Sequence, residues 1–141
     1  DALEGGGERG HEREQEACAL YGVMYGVRPE IIGFVRNGKC GASPDRLIGD
    51  EGLLEVKDAD RHIQIERLLA GVVPKEYVAQ VHGQIMVCDR QWCDFMSHCR
   101  GLPPLVIRVY RDERYIAGLR IDINKFDEEL YELVDKIKAM E

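Results

Sequence analysis

Ser43-Pro44-Asp45 is followed, after nine intervening residues, by Glu55-Val56-Lys57. On a strand successive side chains alternate faces, so Glu55 and Lys57 project on the same side about 7 Å apart. A hairpin between the two segments brings Asp45 beside them. Two carboxylates and the Val56 carbonyl then make an all-oxygen site, which suits Mg2+ or Mn2+ rather than zinc. A lysine next to such an ion can orient water and offset the charge that builds on a phosphate. That is the equipment for metal-assisted phosphodiester hydrolysis.

A plainer reading stands beside it. An Asp after a Pro often only starts a turn, and Glu-x-Lys on a strand is often a solvated edge. Leu54 and Val56 are apolar and face the other way, which favours a buried strand with a polar working face.

Other elements must hold this pair of arms. The turn Gly49-Asp50-Glu51-Gly52 joins Ala42–Ile48 to Leu53–Lys57. Ahead of it, residues 1–7 with Gly5-Gly6-Gly7 read as a flexible lead-in. A helix over 8–24 follows, with Glu14, Ala17, Cys18 and Tyr21 on one face. Ile31–Arg36 reads as a buried strand, and Asn37-Gly38 as a hairpin turn. Residues 61–70 and 75–88 read as helices, the second with Val78, Val81 and Ile85 as its apolar stripe. Trp92–Cys99 and Leu105–Arg111 read as strands, with Tyr115–Ile121 as a further one. The last helix takes Asn124 as N-cap and carries Phe126, Leu130, Leu133, Val134 and Ile137 in one stripe. The order gives a mixed α+β fold, a central mixed sheet flanked by helices.

With 141 residues the chain fits one domain, expected over 8–141. No apolar run approaches the roughly 18–20 residues that span a bilayer. Nothing at the front reads as a secretory signal. Opening on Asp1 rather than Met, the chain is expected to lack something upstream. Five cysteines form no C-x-x-C pair. Cys88, Cys93 and Cys99 with His82 or His98 do not have zinc-ribbon spacing, so buried reduced thiols and a cytoplasmic setting are expected.

The net charge of −7 lies at the two ends: −4 over 1–16, −4 over 122–141 and +1 between. Thirteen of the nineteen bases are Arg, the residue suited to bidentate phosphate contact. A nucleic-acid partner is therefore permitted.

The sequence resembles the phage lambda exonuclease, or YqaJ-like viral recombinase, family within the PD-(D/E)xK nuclease superfamily. The residues that carry the likeness are Cys40-Gly41-Ala42-Ser43-Pro44-Asp45-Arg46-Leu47, Leu53-Leu54-Glu55-Val56-Lys57 and Tyr77-Val78-Ala79-Gln80-Val81. Arg9-Gly10 leading to Glu14-Gln15-Glu16-Ala17, and Val106 to Glu113, are also similar. The likeness runs from about 9 to 138. It departs at Asp58-Ala59, where an apolar residue or Cys-Pro often follows the lysine. It departs again at His82-Gly83-Gln84, where an aromatic often follows the glutamine.

The resemblance implies a restriction-endonuclease-like core. It implies Asp45, Glu55, the Val56 carbonyl and Glu14 as metal ligands, the last directly or through water, and Lys57 as the catalytic lysine. Ser43 and Gln80 would contact the phosphate beside the scissile bond. Glu12 and Glu16 share the helix with Glu14, so a solvated face is the competing reading there. His82 and His98 are expected to be structural, Trp92 to be core, and Asp50, Asp58 and Asp60 to be solvated.

The activity implied is a Mg2+-dependent 5′-to-3′ exonuclease on double-stranded DNA ends that leaves 3′ overhangs for recombination. A homotrimer, a single-strand annealing partner and a phage or prophage origin come with it, and no membrane partner. The family also has an N-terminal helical region that grips DNA, and almost nothing precedes Glu8, so that region is expected to be missing. The competing functions are an endonuclease or nickase with the same site, and an inert DNA-binding or assembly module.

Overall fold

The computed structural model describes the backbone of residues 2–141 and the side chains of residues 10–141. The chain divides into two units, Asp1–Arg111 and Asp112–Glu141. The first holds helix α1 (Ala2–Tyr25), a hairpin of β1 (Val35–Asn37) and β2 (Cys40–Ala42), and a four-stranded sheet. The sheet consists of β3 (Arg46–Ile48), β4 (Gly52–Asp58), β5 (Trp92–His98) and β6 (Leu105–Tyr110), in that spatial order. Helices α2 (Arg61–Ala70) and α3 (Lys75–Cys88) lie between β4 and β5 in the chain.

The connection explains the mixed sheet. The β3–β4 and β5–β6 pairs are antiparallel and joined by short links, whereas β4 and β5 run parallel. A parallel pair needs a long crossover, and α2 and α3 provide it. Strand parity then sorts the faces. Leu54, Met96 and Ile48 pack in one cluster with Ala17, Cys18 and Tyr21 of α1. Glu55 and Phe95, of opposite parity, meet Gln80, Gln84 and Tyr77 of α3. The sheet is thus covered by α1 on one side and α3 on the other, as expected for a mixed sheet flanked by helices.

The helices at 61–70 and 75–88 and the hairpin around Gly49–Gly52 stand where their patterns place them. Gly71 closes α2 in the left-handed region (φ 66°), a conformation that costs glycine little. Other expectations need correction. Ile31–Arg36 is not a buried strand: Ile31 is 79% and Phe34 70% exposed, and pairing covers only Val35–Asn37. The hairpin lies against α3, where Asn37 donates to the Val87 carbonyl at 3.3 Å, but Ile31 and Phe34 precede the paired residues and stay exposed. The turn there is centred on Gly38-Lys39, because Asn37 pairs with Cys40. Helix α1 begins at Ala2 and includes Gly5–Gly7, although each helical glycine costs about 1 kcal/mol relative to Ala.

The second unit is one helix, α4 (Glu113–Ala139). Tyr115–Ile121 is helical, and the N-cap is Asp112 rather than Asn124. The Asp112 carboxylate accepts from the backbone N–H groups of Arg114 and Tyr115, both at 3.0 Å. That cap lets the helix start before the apolar stripe does. Among the described residues, no helix is long and apolar enough to cross a membrane.

One buried charge ties α1 to the sheet. Asp94, 2% exposed, accepts from the Tyr21 hydroxyl at 2.5 Å and from Arg108 at 2.9 and 3.0 Å. Arg108 in turn lies 3.6 Å from the centre of the Trp92 ring. Burial and the Asp94 carboxylate push the Tyr21 hydroxyl well above its ordinary pKa, so it remains a donor. Removing the carboxylate leaves the buried Tyr21 hydroxyl without its acceptor, while Arg108, 39% exposed, can turn to water. Asp94→Ala is expected to destabilise the protein by about 2–3 kcal/mol in urea unfolding; a change under 1 kcal/mol would show that the latch is dispensable.

Candidate active site

Pro44 is buried and presets the backbone of the link into β3, and Asp45 stands at the bend. The β3–β4 register pairs Arg46 with Leu54. Extended by one residue, it sets Asp45 against Glu55. The Asp45 Oδ2 accepts from the Val56 N–H at 2.7 Å. N–H and C=O of one strand residue point to the same edge, so the Val56 carbonyl is directed to the Asp45 side as well.

Glu55 is 4% exposed and fully engaged. Its Oε1 accepts from Gln80 Nε2 at 3.2 Å and lies 3.2 Å from Lys57 Nζ. Its Oε2 accepts from Gln84 Nε2 at 2.9 Å. Three positive or donor groups around one carboxylate offset its desolvation. Asp45 is less well supplied. Burial first, and then the Glu55 carboxylate, push its pKa up to about 7, against the lowering effect of the Val56 N–H.

The sequence-derived set is therefore assembled in part. Asp45, Glu55, Val56, Lys57 and Gln80 come together at the carboxyl end of β4. Glu14 comes near, but its Oε1 accepts from Arg46 Nη1 at 2.9 Å. The same Nη1 donates to the Asp45 carbonyl at 2.6 Å. Among the described residues, no three His, Cys, Asp or Glu side chains form a metal-holding cluster. Ser43 is exposed and its hydroxyl has no hydrogen-bond partner among the described residues. Asp58 is ion-paired to Arg13 at 2.8 Å rather than merely solvated.

Three residues of the site have no role assigned to them by the sequence. Gln84 lies one turn beyond Gln80 on the same helix face, and that i, i+4 repeat of amides was the available signal. Arg46 is 7% exposed and ties the α1 carboxylate to the Asp45 bend. Tyr77 places its ring centre 4.8 Å from Lys57 Nζ. Neither Arg46 nor Tyr77 announces such a contact in sequence, because each contact joins separate elements.

The donor set fits a hard divalent cation. It is all oxygen, it carries two neighbouring carboxylates, and the raised Asp45 pKa reflects burial first and the Glu55 charge second, a repulsion that a cation would relieve.

A sheet laid out as β3-β4-β5-β6 with helices on both faces is the fold of the alkaline exonucleases. The YqaJ-like viral recombinase domain matches residues 6–91, and the chain belongs to that family. An alkaline exonuclease (LHK-Exo) from Laribacter hongkongensis is similar over 92% of this chain and 70% of its own, with 32% identity and a TM-score of 0.85. The same enzyme in complex with dAMP gives 33% identity and a TM-score of 0.86 over 94% and 71%. A phage-related exonuclease from Haemophilus somnus 129PT shares the fold at 17% identity and a TM-score of 0.61, over 80% and 65%. No curated protein matches the chain. The family and its neighbours support a nuclease acting on DNA.

The raised Asp45 pKa has a defined sign. Unfolded, this carboxyl ionises near 3.8; folded, it ionises near 7. The fold therefore loses stability as pH rises between those values, and a cation held by Asp45 would displace a proton below 7. Mg2+ or Mn2+ affinity at about pH 6 is expected to be about tenfold weaker than at about pH 8, with proton release on binding at the lower pH. Isothermal titration in buffers of different ionisation enthalpy measures both, and affinity flat with pH would remove Asp45 from the site.

Proposed function

We propose that this chain is a Mg2+-dependent exodeoxyribonuclease, for which Mn2+ can substitute. Its substrate is linear double-stranded DNA, attacked 5′ to 3′ from an end to leave a 3′ overhang for recombination by strand annealing. The observation that carries the reading is Asp45, Glu55 and Lys57 gathered at the end of β4 in a chain of this family. The similar Laribacter enzyme is named an alkaline exonuclease, and its complex holds dAMP, the kind of mononucleotide an exonuclease releases. A homotrimer, a single-strand annealing partner, a phage or prophage origin and a cytoplasmic setting belong to the same proposal and rest on the family alone.

Each residue then has a task. Asp45, Glu55 and the Val56 carbonyl would hold Mg2+, which supplies an acidified water and polarises the phosphodiester when bound. Lys57 would present its ammonium to the attacking water and to the phosphate oxygens, countering charge as the transition state forms. Gln80 and Ser43 donate to the phosphate beside the scissile bond, while Gln84 keeps Glu55 in place from behind. Glu14 acts from α1, through Arg46 or through a water, to set the second side of the site.

Release of nucleotides from 5′-phosphorylated linear duplex DNA tests the reading. Activity is expected with Mg2+, none with chelator, and a fall of about 10²–10⁴ in rate for Lys57→Ala at unchanged folding. Equal and negligible release by both proteins would favour an inert DNA-binding module. Cleavage of duplexes with blocked ends would identify an endonuclease.

A further inference from the structure

Among the described residues Lys57 has one ionic partner, and on the proposed reading that partner is needed elsewhere. Its Nζ lies 3.2 Å from Glu55 Oε1, the carboxylate assigned above to the metal. Once Glu55 gives its charge to a cation, the ion pair weakens and the lysine needs another seat. Lys57 Nζ also lies 4.8 Å from the centroid of the Tyr77 ring, within the range of a cation–π contact.

The ring is fixed from several directions. It stacks on Phe95, centroids 5.6 Å apart and planes 27° apart. The Arg67 guanidinium sits 5.4 Å from its centroid. Arg67 donates to Ser97 Oγ at 3.0 Å, and that hydroxyl donates to Gln64 Oε1 at 2.6 Å. Gln64 closes the network by donating to the carbonyls of Ser97 and Pro103 at 3.0 and 2.9 Å. Gln64 and Ser97 are fully buried, so this support is part of the packed interior. Tyr77, Gln80 and Gln84 stand at i, i+3 and i+7 of α3, on one face. Two amides of that face hold Glu55, and the ring holds Lys57.

We propose that Tyr77 is a positioning residue for Lys57, its ring face seating the ammonium whether or not Glu55 is paired with it. The inference rests on the nuclease reading above. An aromatic face suits the task for a physical reason. A third carboxylate would pull the lysine away from the phosphate and add negative charge to a site that must admit one. The ring attracts the cation without changing the net charge. The hydroxyl is not required, so phenylalanine should serve as well.

Nucleotide release by the full chain with Mg2+ separates the possibilities. Tyr77→Phe is expected to keep kcat within about twofold, and Tyr77→Leu to lower kcat about tenfold, consistent with one such contact. KM, and the affinity for duplex DNA with Ca2+, should change less than about twofold in both. A second measurement needs no activity. The chain has six lysines, few enough to resolve after 13C-dimethylation. The Lys57 resonance, identified by its loss in Lys57→Arg, should be shifted upfield by the ring, remain shifted in Tyr77→Phe and return to the bulk position in Tyr77→Leu. An unshifted resonance in the unsubstituted protein overturns the proposal even if Tyr77→Leu fails to fold. Full kcat in a folded Tyr77→Leu overturns it too. A shifted resonance in an inactive protein would leave the seat standing and defeat the nuclease reading.

Discussion

Two carboxylates pressed together at the end of one strand are the constraint that the surrounding structure answers. The β3–β4 register sets Asp45 against Glu55. Neither can swing into solvent, because Asp45 is tied to the Val56 N–H and Glu55 is buried beneath α3. Left alone, such a pair would be among the costliest features of the fold. The protein distributes the cost unequally. Glu55 receives two amides and an ammonium, while Asp45 receives one backbone N–H and is held near neutrality. A site whose carboxylates were both fully satisfied would have little reason to accept a cation. Asp45 is the member of the pair left short of positive partners.

Holding that geometry takes both faces of the sheet. On the α3 face, Gln80, Gln84 and Tyr77 engage Glu55 and Lys57. On the α1 face, Leu54 packs against Ala17, Cys18 and Tyr21, so the strand carrying Glu55 cannot rotate without opening the core. The Tyr21–Asp94–Arg108 latch fastens the same helix two turns beyond Glu14. Glu14 therefore reaches Arg46 and the Asp45 bend from a backbone anchored elsewhere. Core packing and site geometry are one problem here, because neighbouring residues of β4 serve opposite faces.

Much of this was readable from residue order. Alternation in Leu53–Lys57 and the turn before it located the hairpin, and Pro74 with the Val78-Val81-Ile85 stripe located α3. These signals are local, and each reflects burial of one face. Gln80 was legible through the family motif, whereas Gln84 lacked a motif and its partner lies on a strand 29 residues earlier. The failures share a cause as well. Ile31–Arg36 has the composition of a buried strand, but pairing begins only at Val35, and composition cannot report how far pairing reaches. Tyr115–Ile121 looks strand-like because of its β-branched and aromatic residues, yet the Asp112 cap commits it to helix.

The arginine content illustrates a further limit of composition. Thirteen arginines in an acidic chain suggested capacity for phosphate contact. At least six of them, Arg13, Arg46, Arg67, Arg100, Arg108 and Arg111, are paired with carboxylates of the same chain. Arg46 and Arg108 work as internal ties between elements, and Arg67 braces the ring beneath Lys57. Among these six partners only Asp94 is buried, so Arg108 is the guanidinium most firmly withheld from an outside phosphate. On the proposed reading, the functional weight shifts from the abundance of arginine to one lysine, two carboxylates and the Tyr77 ring beside that lysine. For a polyanionic substrate approaching a chain of net charge −7, attraction must be concentrated where the reaction occurs, since exposed charges beyond about 8 Å are largely screened at physiological salt.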